Sequence, residues 1–178
     1  MMLDAQAVAA LTAQFQDNSD GQALKSLELI RMLLAFSREP FSRQQFTPGH
    51  ITCSGLVLAP DARRILIVHH RRLDRWLLPG GHVEPCDATI DAAAAREVLE
   101  ETGIAVANGQ LAGADVHGIP AKGREPYHLH HDLLFSFRAR TEALACSDES
   151  HAVAWCTREE LDRYAIPDNV RRAWDHFS

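Results

Sequence analysis

The chain has 178 residues, of which 46% are hydrophobic and 24% charged, with 10 glycines and 8 prolines. That composition belongs to a soluble globular domain with additions and excludes disordered, collagenous and disulfide-stapled chains. The formal net charge of −6 argues against a nucleic-acid backbone as partner, because such binding draws on clustered Lys and Arg, and an anionic substrate would need a metal or a local arginine group to offset this field.

The longest apolar stretches, such as Met32 to Phe36 and Ile65 to Val68, fall well below the roughly 18 to 20 residues that span a bilayer. No membrane segment is expected. The start Met1-Met2-Leu3-Asp4 carries an acid where a signal peptide needs bases, so the reading is cytoplasmic. Cys53, Cys86, Cys146 and Cys156 form no CxxC pair, which leaves neither a zinc ribbon nor a thioredoxin-type redox site and suits reduced thiols.

Residues 4–16 and 20–37 read as two helices joined by the turn formers of Asp17-Asn18-Ser19-Asp20-Gly21, a helical hairpin. In the second, Leu24, Leu27, Leu29, Ile30, Met32, Leu33, Leu34 and Phe36 cover more than one stripe, so burial on two sides is expected, against the main domain or a second subunit. Pro40 and Pro48-Gly49 mark a linker. Ile51 to Leu58 and Arg64 to His69 read as a strand pair around Pro60-Asp61, and Trp76-Leu77-Leu78 as a short strand stopped by Pro79-Gly80-Gly81.

The alanine-rich run from Thr89 to Thr102 predicts a helix that ends at Gly103. Strands are expected over Leu111–Ile119, His128–Arg140 and Ala152–Cys156. The spacing Thr157-Arg158-Glu159-Glu160 resembles a capping box for a helix over Arg158–Tyr164, and Pro167 opens a last helix through His176. Strands on both sides of a central helix, with helices at each end, predict helices and sheet in layers.

On the central helix Glu97, Glu100 and Glu101 stand at i, i+3 and i+4 and project from nearly one face. Like charges one turn apart disfavour the helix unless a cation lies between them. A hard divalent ion, Mg²⁺ or Mn²⁺, fits such an oxygen-rich set. Arg96, at i, i+4 to Glu100, can hold that carboxylate. Ala92, Ala95 and Leu99, with Ala94 and Val98 alongside, are expected to pack on the sheet. An ordinary solvated acidic face is the plainer alternative.

The run from Gly81 through Arg96-Glu97-Val98-Leu99-Glu100-Glu101-Thr102-Gly103-Ile104 resembles the signature of the Nudix hydrolases: a Gly, a Glu, then Arg-Glu-apolar-x-Glu-Glu-x-Gly-apolar. The last nine residues match at every specified position. Ala88 stands where the pattern has its first Glu, Cys86 stands at a commonly glycine position, and the loop is one residue longer than the common form. Asp87, next door, is expected to take over as a helix N-cap or outer carboxylate.

The resemblance spans roughly residues 50 to 165. It implies an α+β protein, a Nudix-type α/β/α sandwich with a mixed sheet, preceded by a helical-hairpin extension over 1–45 and occupying 46–178. The implied activity is metal-dependent hydrolysis of a pyrophosphate bond in a nucleoside diphosphate linked to another moiety, or in a related organic pyrophosphate. By motif position Glu97, Glu100, Glu101 and the backbone at Gly81 are the metal ligands, Glu100 also orients water, and Arg96 orients the carboxylates.

Outside the motif, Glu149 is the candidate base. Arg124 and Tyr127, in the loop Pro120 to Tyr127, are placed to meet a phosphate and a nucleobase. His128, His130 and Asp132 alternate onto one face of a strand and can contact substrate, bind zinc, or simply be polar residues on a half-solvated face. His69-His70-Arg71-Arg72 is a local basic spot between strands. The hairpin's apolar surface makes a homodimer the expectation. A competing reading, a nucleotide-binding or regulatory Nudix-like module with weak catalysis, rests on Ala88 and the altered loop.

Overall fold

The structure is a computed structural model that describes residues 3–15 and 20–177. Two helices come first, α1 (Ala5–Ala13) and α2 (Gly21–Phe36). Residues 16–19, most of the expected turn between them, lie outside the described residues, as do Met1 and Met2 at the acidic start. Asp20 caps α2 by accepting from the N–H groups of Gln22 and Ala23, which satisfies donors that a helix start leaves orphaned.

Seven strands follow in one mixed sheet: β1 (His50–Leu58), β2 (Arg64–His70), β3 (Arg75–Leu77), β4 (Gly80–His82), β5 (Gln110–Ile119), β6 (His128–Arg138) and β7 (Ser150–Thr157). The path runs β3-β2-β1-β6-β5, with β4 also on β1 and β7 also on β2. Among the described residues only β1 and β6 are parallel, paired from His50↔His130 to Leu58↔Arg138.

Antiparallel β2 meets β1 at Leu58↔Ile65, whereas β4 meets it at Thr52 to Ser54, near the other end. Strand β1 therefore exchanges one neighbour for another along its length, and the sheet opens there.

Alternation along the strands divides the interior into two cores. Ile51, Cys53, Val57, Leu133, Phe135 and Phe137 face Leu27, Ile30 and Leu33 of α2 and Ala93, Ala94 and Val98 of α3 (Ile90–Thr102). Leu56, Leu58, Ile65, Ile67 and Leu134 face Leu161, Val170 and Trp174 on the other side, where α4 (Asp168–Phe177) lies. Helices thus cover both faces of the mixed sheet, the layered α+β fold expected.

The hairpin shares the first core rather than standing apart from it. Its remaining apolar residues Leu29, Met32 and Phe36 are exposed, so α2 buries one broad face and leaves the other to solvent. An ion pair between the exposed Arg172, through Nε, and the buried Asp20 Oδ2, 2.7 Å long, ties α4 to the start of α2.

Four local expectations are corrected. Gly80 and Gly81, expected to stop the third strand, pair with His82 as strand β4 against Thr52 to Ser54 of β1. Leu99 does not pack on the sheet but is 48% exposed. The buried stripe runs instead through Ile90, Ala93, Ala94 and Val98, because Val98 fills the space that Gly55 leaves open on β1.

The segment after Thr157 makes only a 3-10 turn over Arg158–Glu160. The Thr157 N–H does donate to the Glu160 carboxylate at 3.0 Å, but the chain then turns back through Ala165 at φ +50° so that both Leu161 and Ile166 reach the second core. Burial of two side chains there outweighs helix propensity.

Finally, Asp87 does not cap α3. Thr89 does, accepting from the Ala92 N–H at 3.3 Å, and Asp87 is drawn into the site described next.

Candidate active site

Helix α3 crosses the opening of the sheet and stops at Gly103, whose φ of +73° is the left-handed geometry of a glycine helix stop. The loop that carries β4 lies against its acidic face. At Gly81 a Cβ would fall 2.7 Å from the carboxyl carbon and Oε1 of Glu97, so only glycine lets backbone and carboxylate approach this closely. One residue earlier, the Gly80 N–H donates to Glu101 Oε2 at 3.0 Å.

The three glutamates are not equivalent. Glu101 is buried at 3% exposure, the Glu97 side chain is 15% exposed, and the Glu100 side chain, at 57%, stands on the rim.

Arg96 holds this arrangement together. It donates to both oxygens of Asp87, through Nε at 3.1 Å and Nη2 at 3.0 Å, to Glu97 Oε1 at 3.0 Å and Glu100 Oε2 at 2.9 Å through Nη1, and to the His82 carbonyl at 2.9 Å. The fork of a guanidinium suits such bidentate pairing. Its pKa is raised, first by the bonds to Asp87 and then by Glu97.

Asp87 also accepts from the Glu84 N–H at 2.8 Å. It therefore ties the loop to the helix through Arg96, which is where the acid displaced from position 88 does its work.

Burial pushes Glu101 up to about 7, with the charges of Glu97, Glu149 and Glu100 adding to it and the Gly80 N–H opposing. Glu97 is likewise raised by burial, against the pull of Arg96. Among the described residues Glu101 forms no ion pair. Two buried carboxyl groups, each pushed up by burial, match a hard cation's requirement for several oxygen ligands close together.

These groups line a cleft of about 1200 Å³. Its opposite wall is the polar face of β1 and β6, where Thr52 Oγ1 donates to Asp132 Oδ1 at 2.8 Å, with His82, His117, His128 and His130 beside them. Burial lowers His130 to about 2, with the neighbouring histidines adding to the effect, and His82 to about 4. Arg43, Arg71, Arg72, Arg75 and Lys122 supply a cationic rim.

The expected site residues separate accordingly. Gly81, Arg96, Glu97, Glu100, Glu101, His128, His130 and Glu149 all line the cleft. Glu149 is exposed and close enough to raise Glu97 and Glu101 electrostatically. Arg124 and Tyr127 are exposed and stand outside the cleft lining. A Lys122–Glu125 bridge closes the loop around Gly123, which turns Lys122 and Glu125 toward the cleft and Arg124 away. Tyr127 instead lies over Gly118, where an added Cβ would come within 2.2 Å of its hydroxyl.

The basic run His70-Arg71-Arg72, which leads from the end of β2 into the turn before β3, forms part of the rim, with Arg72 paired to Glu125. Thr52 and Arg43 carried no sequence signal, whereas His82 had one in its place next to the Gly80-Gly81 pair.

The family model described as "NUDIX domain" matches residues 49–175. A Bacillus subtilis (strain 168) protein, provisionally described as an 8-oxo-dGTP diphosphatase, is 29% identical over 120 residues, 67% of this chain and 75% of that one. A "MutT-like protein" of Streptomyces ambofaciens is 35% identical over 116 residues, 62% of this chain and 66% of its own length. Among solved structures, the NUDIX domain of Shewanella oneidensis NrtR complexed with ADP ribose superposes with a TM-score of 0.60 at 14% identity, covering 78% of this chain and 94% of that one. At that identity the likeness is one of fold.

Proposed function

Because the chain belongs to the Nudix family and is a pyrophosphohydrolase of that family, we propose that it cleaves, with Mg²⁺ or Mn²⁺, the pyrophosphate bond of a nucleoside diphosphate linked to another moiety or of a related organic pyrophosphate. The name of the Bacillus relative supports a nucleotide. The observation that carries the reading is the inward-turned pair Glu97 and Glu101, packed on Gly80 and Gly81 at the floor of the cleft.

In this reading Glu97, Glu101 and the rim carboxylate Glu100 hold the ion, with the backbone at Gly81 against Glu97. When bound, the divalent ion supplies positive charge to the phosphates and lowers the pKa of a bound water.

The chain's own groups do the rest. Arg96 orients Glu97 and Glu100 and is itself positioned by Asp87. Glu149 accepts the proton of the attacking water from the open side of the cleft. The cationic rim, Lys122 and Arg71 in particular, takes the phosphates, and His128 and His130 face the substrate from the opposite wall. This assigns the phosphate contact to Lys122 rather than Arg124, and leaves Tyr127 outside the site.

We also propose a homodimer through the exposed Leu29, Met32 and Phe36, read by light scattering against the 19.8 kDa chain. A cytoplasmic location belongs to the same reading, since Cys86 and Cys146 are exposed free thiols that suit a reducing compartment.

The deciding experiment is phosphate release from pooled nucleotides and organic pyrophosphates, coupled to a phosphatase, with Mg²⁺ or Mn²⁺, beside Glu101→Gln. Turnover that needs both the metal and Glu101 is the expected result. Turnover that survives in folded Glu101→Gln overturns the assignment.

A further inference from the structure

The wall facing the glutamates holds a second group of possible ligands with different chemistry. Parallel pairing sets His50 of β1 beside His130 of β6, and His128, two residues earlier, shares the same face. One ligand nitrogen from each of His50, His128 and His130 lies within 4.8 Å of the others.

The tautomers follow from the hydrogen bonds. His50 Nδ1 lies 3.1 Å from the Gln45 carbonyl and His128 Nδ1 lies 2.8 Å from the Pro126 carbonyl. A carbonyl can only accept, so both rings carry their proton on Nδ1 and present the Nε2 lone pair. That is the arrangement in which metal-bound histidines are held, the second nitrogen anchored to backbone. The His50 ring is fully buried, and its Nε2 has no hydrogen-bond partner among the described residues. Its ring centroid stands 5.2 Å from that of His128 and 4.9 Å from that of His130. A buried imidazole nitrogen without a hydrogen bond, beside two other imidazoles, costs free energy that a shared cation would offset.

We infer that His50, His128 and His130 form a trihistidine site for a borderline transition-metal cation, Zn²⁺ foremost, separate from the carboxylate site on α3. Three imidazoles prefer zinc or its neighbours over Mg²⁺, which takes oxygen ligands. Zn–N bonds of about 2.0–2.1 Å place tetrahedral ligand nitrogens about 3.3 Å apart, so the widest separation of 4.8 Å closes by modest side-chain rotation.

Asp132, on the same face, is not a member: its carboxylate is engaged by Thr52 at 2.8 Å, and His50 takes the third place. His128 and His130 line the cleft, which leaves the fourth position open to a water or a substrate oxygen. The inference stands independently of the hydrolase reading, and its test needs no turnover.

The test is titration of the tag-free full chain with CoCl₂ alone, followed by visible absorption and then by displacement with ZnCl₂. One equivalent of cobalt giving the intense band of low-coordinate, nitrogen-bound Co²⁺, bleached by zinc, is expected. His50→Gln and the less buried His130→Asn should weaken binding by at least about tenfold, whereas Glu101→Gln should keep the band. Circular dichroism checks folding, and if His50→Gln unfolds, His130→Asn decides alone. No such band in the folded wild type, a band unchanged in folded His130→Asn, or a band lost in Glu101→Gln overturns the site.

Discussion

Two polar clusters face each other across one cleft and are built on opposite principles. On α3, Arg96, Glu97, Glu100 and Glu101 come from six consecutive residues, carry formal charge, and are braced by a guanidinium that reaches Asp87, Glu97, Glu100 and the His82 carbonyl. On the sheet, His50, His82, His117, His128 and His130 come from β1, β4, β5 and β6, with rings 4.9 to 5.6 Å from their neighbours. The pKa of His50, His82 and His130 is lowered, first by burial. The acidic cluster is thus a set of hard oxygen donors, and the histidine cluster a set of softer nitrogen donors. Helical periodicity delivers the first and strand pairing the second.

The contrast can be broken most severely at the acidic end. Glu101→Gln keeps the shape and the Gly80 contact but removes the buried charge, and turnover with Mg²⁺ should fall by about a hundredfold or more while the melting temperature holds or rises. Arg96→Met attacks the brace instead. It leaves Asp87, with a side chain 5% exposed, buried without its partner, and a loss of about 3 kcal/mol in chemical denaturation is expected.

Gly81→Ala is a finer probe. Its Cβ would collide with the Glu97 carboxylate, so Mg²⁺ affinity by calorimetry should weaken by about tenfold, near 1.4 kcal/mol, with the fold retained. An unchanged affinity would show that Glu97 does not need its seat against the glycine.

The smallest effect is in pH. Glu101 is raised in the folded chain to about 7, above its ordinary value. Stability that the protonated form contributes is complete at pH below about 4.5 and is lost as pH rises through about 7. Thermal unfolding of metal-free protein should therefore weaken across that window, Glu101→Gln should flatten the slope, and Mg²⁺ should restore stability on the alkaline side.

The same division explains what could be read before the structure. Glu97, Glu100, Glu101 and Arg96 were legible because α3 needs only its own propensity and a glycine stop to place them on neighbouring turns. Their different depths were not legible. Whether Leu99 or Val98 meets the sheet depends on the gap at Gly55, and that choice rotates Glu101 inward and Glu100 out. Asp87 was noticed, but its role depended on the reach of Arg96 across the loop. His128 and His130 were seen as a pair on one strand face, with Asp132 as the expected third member. The residue that completes the group, His50, is 78 positions before His128 in the chain and lies just ahead of the strand expected over Ile51–Leu58.

By itself, then, the sequence determined the order of the longer helices and strands, the acidic helix face with its arginine, and the family to which that face belongs. All of these are carried by interactions within a few residues. The tertiary structure alone decided which carboxylates are buried, which loop cation meets the cleft, and which histidines converge. Each of these is set by strand register and core packing between segments far apart in the chain, and neither local propensity nor spacing contains that information.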